Sequence, residues 1–311
     1  MQTWCVTNVG RRSEVGRPRA LLTGRNGFTG HYVAAELEAA GYEVVGLGDR
    51  PGPVGTRSMT ANLLDREAVR AAVAAVEPDV VLHLAAISFV AHDDVDEIYR
   101  VNVVGTRNLL GALAELTRKP KIVVLASSAN IYGNADADPI TEDTPPSPAN
   151  DYAVSKLAME YMARLWMDRL PIVFTRPFNY TGVGQSEQFL IPKIVSHFRR
   201  GERLIELGNT QVTRDFGDVR DVAATYRLIA TLAPVGETFN ICSGAGHSLG
   251  DVLDMMVEIA GYRIEVRVNQ AFVRSNELLR LVGSNSKIRG LSQSVPTTPL
   301  RQTLAWMYAD Q

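Results

Sequence analysis

A glycine-rich turn between a strand-like run and a helix-like run is the feature that most constrains the fold of this chain. The short apolar run 20–23 leads directly into Gly24, Gly27 and Gly30, and a helical pattern follows over 32–40. In this setting the backbone can approach a pyrophosphate closely, and the helix N-terminus meets its negative charge. The turn therefore predicts a dinucleotide-binding site at the start of the fold.

Strand-like and helix-like runs then alternate through the first half of the chain. Continuous Val, Ile and Leu runs that alternate with helices are typical of a parallel sheet covered on both faces. Right-handed crossovers bring the carboxyl ends of such strands to one edge, where ligands bind. We therefore predict an α/β fold with a Rossmann-type, doubly wound parallel sheet. The predicted strands are 20–23, 43–47, 80–84, 122–125 and 172–176, and the predicted helices are 32–40, 68–76 and 103–116.

The regular alternation ends after residue 176, and the remainder mixes helices with a strand at 238–241. We expect this part to form a smaller mixed α/β substrate lobe over the sheet edge. The first 19 residues contain four arginines but no apolar stretch, so we interpret them as a mobile arm and not as a secretory signal. The predicted organisation is an N-terminal arm at 1–19, a cofactor-binding domain at 20–178 plus about 212–240, and a substrate lobe at 179–211 plus 241–311.

Composition excludes several classes of protein. The 311 residues are 46% hydrophobic, which is enough for a real core, and no apolar run approaches the length of a membrane span. A net charge of −2 gives no general basic surface for nucleic acid. Cys5 and Cys242 are the only cysteines, which excludes a disulfide framework and a zinc site built from cysteine pairs. We expect a cytoplasmic protein with no metal site.

Polar and small residues follow the predicted strands at the ligand-binding edge. An acid after the second strand accepts the 2′-hydroxyl of NAD, whereas an arginine there meets the 2′-phosphate of NADP. Asp49 and Arg50 stand side by side at this position, so we expect both NADH and NADPH to work, with NADH modestly favoured because Asp49 would repel a phosphate. His83 is interpreted as a packing residue. The cofactor-binding residues predicted in the turn and at the edge are Gly24, Asn26, Gly27, Phe28, Gly30, Asp49, Arg50, Leu63, Leu84, Ala85 and Ala86.

A serine at the end of a strand and a tyrosine four residues before a lysine can together carry acid–base chemistry. Residues i and i+4 share a helical face, so Lys156 can lie beneath the phenol of Tyr152, with Ser128 upstream. A phenol ionises at about pH 10, and a nearby ammonium favours its anionic form. Such a tyrosine acts as a general acid or base, typically worth roughly 10²–10⁴ in rate. The alternative is an ordinary amphipathic helix with a surface lysine.

Taken together, these motifs closely resemble the extended short-chain dehydrogenase/reductases that act on nucleotide sugars. The resemblance covers nearly the whole chain after Arg19. Within that group the likeness is closest to the GDP-4-keto-6-deoxy-mannose reductases. The segments that carry this finer likeness are Arg176–Asn179, Gly182–Gln185, Arg214–Asp221 and Phe239–Gly244.

The resemblance also implies roles for single residues. Ser128, Tyr152 and Lys156 would be the catalytic trio, with Tyr152 and Lys156 also at the nicotinamide ribose. Asn102 would support the lysine through water, and Asn62 would face adenine, because an amide oxygen can accept the hydrogen bond that the family's aspartate accepts. The implied substrate-binding residues are Ser88, Asn130, Asn179, Arg214, Arg274 and Glu277, with Asn179, Arg214 and Arg274 on the phosphate side and Glu277 at the ribose or base. For Arg214 the alternative is a surface ion pair with Asp215 or Asp218.

The reaction that the resemblance implies is NAD(P)H-dependent reduction of the C4 ketone of GDP-4-keto-6-deoxy-D-mannose. The product would be GDP-D-rhamnose or its C4 epimer, GDP-6-deoxy-D-talose. One alternative is a nucleotide-sugar 4-epimerase, which uses the same trio but keeps NAD tightly bound. Another is a non-catalytic, NAD(P)-sensing binding protein. The family often forms dimers, so a homodimer is expected.

Overall fold

The computed structural model describes residues 16–88, 94–209, 212–270 and 279–310. The strands in chain order are β1 (Arg19–Thr23), β2 (Glu43–Gly48), β3 (Arg57–Thr60), β4 (Val80–His83), β5 (Ile122–Ala126), β6 (Ile172–Pro177), β7 (Asn179–Thr181), β8 (Leu204–Leu207), β9 (Thr213–Asp218), β10 (Thr238–Ile241), β11 (Gly246–Ser248), β12 (Glu265–Val268) and β13 (Arg280–Leu281). The α-helices are α1 (Phe28–Ala39), α2 (Arg66–Val76), α3 (Val95–Tyr99), α4 (Thr106–Glu115), α5 (Asp151–Arg164), α6 (Leu190–Arg199), α7 (Val219–Leu232), α8 (Leu249–Ala260), α9 (Ser286–Leu291) and α10 (Leu300–Ala309).

The principal sheet is parallel and has the strand order β10-β6-β5-β4-β1-β2-β3. The strand order reverses between β1 and β4, so their carboxyl ends diverge and leave a crevice there. The central strands are apolar and buried because helices cover both faces of the sheet. This confirms the predicted α/β fold and its doubly wound sheet.

Two clusters of apolar side chains attach the helices to this sheet. On one face α2, α4 and α5 pack through residues such as Val69, Leu113 and Met159. On the other face α1 and α7 pack through residues such as Val33 and Tyr226. The sheet is therefore the middle layer of three, and its carboxyl edge is left open for ligands.

The remaining strands form smaller sheets. Strand β9 is central, with β11 antiparallel to it and with β7 and β13 parallel to it, while β8 pairs with β12. Helices α6, α8 and α10 bury a third apolar cluster among themselves, which includes Ile194, Met256 and Leu304. A smaller mixed α/β part is thus present, and the proposed division of residues between two domains stays a prediction.

One predicted helix has a different form. The pattern over 103–116 predicted a single helix, whereas the chain forms a π-helical segment, Arg100–Gly105, before α4. A π-helical turn inside a helix commonly marks a functional position, and this one carries Asn102. Within the described ranges, no helix combines the length and the apolar character that crossing a bilayer needs.

Candidate active site

Close backbone packing forms the glycine turn. Gly24 has a φ of +74°, and a Cβ there would lie 2.8 Å from the backbone nitrogen of Ala85. A Cβ on Gly30 would lie 2.0 Å from the carbonyl oxygen of Gly24. Side chains at either position would therefore push the turn away from the start of α1, which Gly27 caps and Phe28 begins. The glycines give the cradle that a pyrophosphate requires.

A cavity of about 460 Å³ opens beside this turn, at the crevice between β1 and β4. Its size lies within the range of small-molecule and cofactor sites, roughly 300–1,000 Å³. The predicted cofactor residues that do not line it are Phe28, Gly30, Leu84, Asn102, Tyr152 and Lys156. The predicted cofactor residues that do line it are Gly24, Asn26, Gly27, Asp49, Arg50, Asn62, Leu63, Ala85 and Ala86. Most of the residues predicted from separate stretches of sequence thus lie around one cavity.

The polar side chains of this cavity are partly engaged with the protein itself. Asn26 donates to the carbonyl oxygen of Pro51 at 3.3 Å, and the Asn62 amide oxygen accepts from the Leu64 N–H at 2.9 Å. Asp49 and Arg50 form a loose ion pair of 3.9 Å with both side chains largely exposed. Both charges at the cavity mouth are therefore accessible to a ribose or a phosphate.

Arg25 also lines the cavity, although it was not among the predicted site residues. Its Nη2 pairs with Glu38 at 3.0 Å, and its stem packs against Gly46. Its Nη1 is buried and has no hydrogen-bond partner among the described residues. A buried unpaired guanidinium nitrogen is costly, so this donor is available to an anionic group in the cavity.

The three residues predicted to form the catalytic trio come together where β5 and α5 meet. Asn150 caps α5 by accepting from the Ala153 N–H at 2.9 Å, which places Tyr152 in the first turn of the helix. The buried Tyr152 is hydrogen-bonded to the side chain of Ser128. Lys156 is also buried, and its Nζ donates to the carbonyl oxygen of Ala126 at 2.7 Å. The alternative of a surface lysine on an ordinary amphipathic helix is therefore wrong.

The pKa of Tyr152 departs from the expectation. Burial raises it to about 12, and the hydrogen bond with Ser128 offsets part of this effect. We expected Lys156 to lower it, but the Lys156 ammonium is directed to a backbone carbonyl. Burial also lowers the pKa of Lys156 to about 8, with Glu160 acting in the opposite direction. The phenol is thus protonated at neutral pH, as a proton donor must be.

Asn102 is buried and supports the catalytic helix from its π-helical segment. Its amide oxygen accepts from the Ile87 N–H at 3.0 Å, and its Nδ2 donates to the Ile87 carbonyl oxygen at 3.2 Å and to Ser155 Oγ at 3.0 Å. Its contacts join the cavity wall at Ile87 to α5, the helix that carries Tyr152 and Lys156.

The implied substrate residues have different surroundings. Asn130 Nδ2 lies 3.3 Å from Ser128 Oγ, so its amide is next to the trio. Asn179 Nδ2 is buried with no partner among the described residues. Arg214 Nη1 donates to the Thr213 carbonyl oxygen at 3.0 Å, and Ser88 is exposed. The implied residues outside the described ranges are Arg274 and Glu277.

The acidic neighbours considered for Arg214 have other partners. Asp215 is buried and accepts from the Ser243 N–H and the Gly244 N–H, each at 2.9 Å. Asp218 caps α7 and pairs with Arg220 at 2.6 Å. These carboxylates therefore have structural roles at the start of α7 and beside β10.

Sequence reasoning missed Tyr180, which connects the glycine turn to β7. Its hydroxyl lies 2.7 Å from Thr29 Oγ1, and its ring stacks on Phe28 with 6.2 Å between ring centroids. It is also near enough to Tyr152 to act on the phenol's pKa. The only available signal was an aromatic residue directly after Asn179.

Among the described residues, no group of His, Cys, Asp and Glu side chains is arranged to hold a metal ion.

Comparison with known proteins gives these residues a context. The model of the NAD dependent epimerase/dehydratase family matches residues 20–242. The chain is 34% identical over 296 residues to the GDP-6-deoxy-D-talose 4-dehydrogenase of Aggregatibacter actinomycetemcomitans, covering 94% of this chain and 98% of that one. It is 30% identical over 303 residues to the GDP-6-deoxy-D-mannose reductase of Pseudomonas aeruginosa, covering 94% and 96%.

Solved structures show the same similarity. A "putative epimerase" from Burkholderia cenocepacia superposes with a TM-score of 0.89 at 53% identity, covering 94% of this chain and 98% of that one. RMD from Pseudomonas aeruginosa, complexed with NADPH, superposes with a TM-score of 0.81 at 29% identity, covering 94% and 97%.

Burial of Lys156 makes stability depend on pH in a defined direction. Its pKa is about 8 when folded, against 10.5 unfolded, so between these values the unfolded chain binds more protons and stability rises with pH. Without cofactor, we expect the free energy of unfolding of the wild type to gain about 3 kcal/mol over that of Lys156→Met between about pH 7.5 and about pH 10.5. Urea unfolding at both pH values measures this gain. Exposed Lys121 provides the control variant Lys121→Met, and a Lys156→Met difference that is constant with pH would contradict the prediction.

Proposed function

This chain belongs to the NAD dependent epimerase/dehydratase family, and within it we propose a reductase that acts on the C4 ketone of GDP-4-keto-6-deoxy-D-mannose. The product is GDP-D-rhamnose or its C4 epimer, GDP-6-deoxy-D-talose. The observation that carries the proposal is the buried Tyr152, protonated and hydrogen-bonded to Ser128 at the same sheet edge as the cofactor cavity. A protonated phenol is the acid that ketone reduction needs.

The chain's own residues supply binding and the proton. When bound, the reduced nicotinamide supplies the hydride. Tyr152 donates its phenolic proton to the ketone oxygen, and Ser128 forms a hydrogen bond with the same oxygen. Lys156 holds the nicotinamide ribose and, once drawn from the Ala126 carbonyl towards the phenol, favours its anionic form.

Family relatives support the nucleotide. Two relatives that align over nearly the whole chain are named for GDP-6-deoxy sugars. These names favour a GDP-linked substrate, whereas relatives named as 4-epimerases are named for UDP-glucose. Retention of NAD through purification would favour the epimerase instead. The non-catalytic alternative is not favoured, because the acid–base trio is intact.

We propose that the sugar nucleotide is held by the residues identified from the family resemblance. Asn179 offers a buried amide N–H with no partner among the described residues, which suits a phosphate oxygen. Arg214 and Arg274 would pair with the diphosphate, Glu277 with the ribose or base, and Ser88 and Asn130 with the sugar. Asn62 would receive the adenine of the cofactor. The setting we propose is the cytoplasm.

The proton donor can be tested directly. Tyr152→Phe keeps the ring but removes the proton, so we expect turnover of the GDP-4-keto sugar to fall by roughly 10²-fold or more with nearly unchanged cofactor affinity. Steady-state kinetics and cofactor titration measure the two effects. Tyr161→Phe is the matched control, since Tyr161 is 62% exposed on the same helix. Turnover near the wild-type value in Tyr152→Phe would remove Tyr152 from this role.

The Asn130 amide restricts the reaction to C4. It lies beside Ser128, where a carboxyl or thiol could remove a proton from the sugar, but an amide has no basic or acidic form near neutral pH. We therefore expect no dehydration and no inversion at C3 or C5. The reaction is run in deuterated water with NADH, and the product sugar is examined by NMR. Unlabelled C3 and C5 beside a newly reduced C4 would support this, whereas enzyme-dependent deuterium at C3 or C5 would contradict it.

Cofactor preference depends on the charges at the cavity mouth. We propose that NADH is modestly favoured over NADPH, because the exposed Asp49 accepts the ribose 2′-hydroxyl and repels a 2′-phosphate. Asp49→Asn should reduce the ratio of kcat/KM for NADH to that for NADPH by roughly fivefold or more. Asp254→Asn, an exposed change of the same charge on α8, is the control. Strict dependence of the wild type on NADPH would show that Arg25 or Arg50 governs instead.

We also propose a homodimer, supported by an apolar stripe along α5 and its C-cap residue. The stripe consists of Val154, Tyr161 and Leu165, which are 38%, 62% and 79% exposed and lie on one helical face. Leu165→Glu should convert a dimer into monomers in sedimentation experiments. Val235→Glu, an equivalent change at a position that is 49% exposed, is the control. A wild-type protein that sediments as a monomer at tens of micromolar, the range of ordinary assays, would exclude this dimer.

A further inference from the structure

His83 is a buried ionisable residue that the proposed reaction does not use. It ends β4, is 3% exposed, and both of its ring nitrogens have partners. Nδ1 lies 2.7 Å from Thr23 Oγ1, and Nε2 lies 2.8 Å from Thr106 Oγ1. The sequence suggested simple packing, but an imidazole with two short polar contacts does more than fill space.

The contacts of the two threonines decide where the imidazole proton lies. Thr106 Oγ1 donates its single proton to the Asn102 carbonyl oxygen at 2.7 Å, so it can only accept from His83, and Nε2 must carry a proton. Thr23 Oγ1 already accepts from the Ala85 N–H at 3.1 Å and is free to donate to Nδ1. The Nε2–H tautomer of neutral His83 therefore gives every donor and acceptor in this hydrogen-bond network a partner.

A protonated His83 would break this pattern. Both ring nitrogens would donate, and the hydroxyl proton of Thr23 would lose its acceptor. The charged group that acts on His83 is Lys156, whose positive charge also disfavours an imidazolium. Burial together with Lys156 lowers the pKa of His83 to about 3.

This hydrogen-bond network connects the two halves of the proposed active site. At one end, Ala85 is the residue that Gly24 closely approaches in the glycine turn. At the other end, Asn102 holds Ile87 in the cavity wall and donates to Ser155 Oγ, which in turn donates to the Tyr152 carbonyl oxygen at 2.7 Å. Hydrogen bonds therefore run from Ala85, which packs against the glycine turn, through Thr23, His83 and Thr106 to the Asn102 backbone. The Asn102 side chain continues them through Ser155 to the Tyr152 carbonyl oxygen.

We propose that His83 is a positioning residue, fixed as the neutral Nε2–H tautomer, that keeps the loop after β4 and the start of α5 in register with the glycine turn. The tautomer assignment stands on geometry alone. The kinetic consequence rests on the proposed function, because it concerns the alignment of Tyr152 with a ketone and a cofactor. The experiments below keep the two apart.

The tautomer is tested by NMR of the imidazole nitrogens in the wild-type protein, with the His83 signals identified by their loss in His83→Gln. We expect Nε2 to carry the proton and Nδ1 to remain unprotonated from about pH 5 to about pH 9. An Nδ1–H tautomer, or titration within this range, would overturn the proposal. This measurement needs neither cofactor nor sugar substrate.

The positioning role is tested by removing the hydrogen bond between His83 and Thr106. Thr106→Val keeps the shape but leaves Nε2–H without an acceptor, so we expect NADH binding to weaken and turnover to fall, each by roughly fivefold or more. Thr225→Val is the matched control, since Thr225 is equally buried and its Oγ1 donates to the Asp221 carbonyl oxygen four residues earlier, as Thr106 does to Asn102. The control should lose thermal stability only.

Two outcomes of this comparison overturn the role. One is a Thr106→Val protein that loses as much thermal stability as Thr225→Val does, but whose NADH dissociation constant and turnover both stay within about twofold of the wild-type values. The other is a His83→Leu protein that folds and works like wild type. In support, His83→Gln, whose amide can donate to Thr106, should recover part of what His83→Leu loses. NADH affinity is measured without the sugar, so it still tests the hydrogen-bond network if the assigned substrate is wrong.

Discussion

The buried ion pair between Arg176 and Glu160 joins the segments that carry the acid–base groups. Arg176 Nε and Nη2 reach the two Glu160 oxygens at 3.0 and 2.8 Å, and both residues are almost fully buried. The remaining nitrogen, Nη1, donates to the Tyr132 hydroxyl at 2.9 Å and to the Glu142 carbonyl oxygen at 3.1 Å. Two buried charges are tolerable only when they are paired this completely, and removing one partner typically costs about 3–5 kcal/mol. Helix α5, strand β6 and the segment after Ser128 are thereby fixed together.

This pair also sets the electrostatics of the trio. Glu160 lies one helical turn after Lys156 and raises the pKa of its ammonium, which opposes the effect of burial. Arg176 in turn neutralises the Glu160 carboxylate. Tyr152 meanwhile has burial and a hydroxyl neighbour as its main influences. The structure therefore describes a resting site with a protonated acid and a lysine held by the β5 backbone. Because the pKa of Lys156 is about 8, a bound ligand can change the charge state of this lysine near neutral pH.

The sequence predicted the frame of this fold well because its signals are local. The glycine spacing, the buried strands and the Tyr152–Lys156 spacing each lie within a short stretch, and the structure confirms the sheet and gathers most of the predicted cofactor residues around one cavity. The contacts of Tyr180 and the pairing of Arg176 with Glu160 were missed because they join residues far apart in the chain. The pKa of Tyr152 was misjudged for a related reason, since burial and the direction of the lysine side chain arise only from packing. The roles of Arg274 and Glu277 still rest on resemblance.

The contacts of α1 with β7 and the residues after it link the two sites at which we propose that phosphates bind. Thr29 meets the Tyr180 hydroxyl, Phe28 stacks on the same ring, and the Tyr32 hydroxyl donates to the Val183 carbonyl oxygen at 2.7 Å. The start of α1, where we propose that the cofactor's pyrophosphate binds, is therefore braced by the strand that carries Asn179. Because these contacts join the two proposed phosphate sites, they would also fix the spacing between cofactor and sugar nucleotide, and with it the distance between hydride donor and ketone.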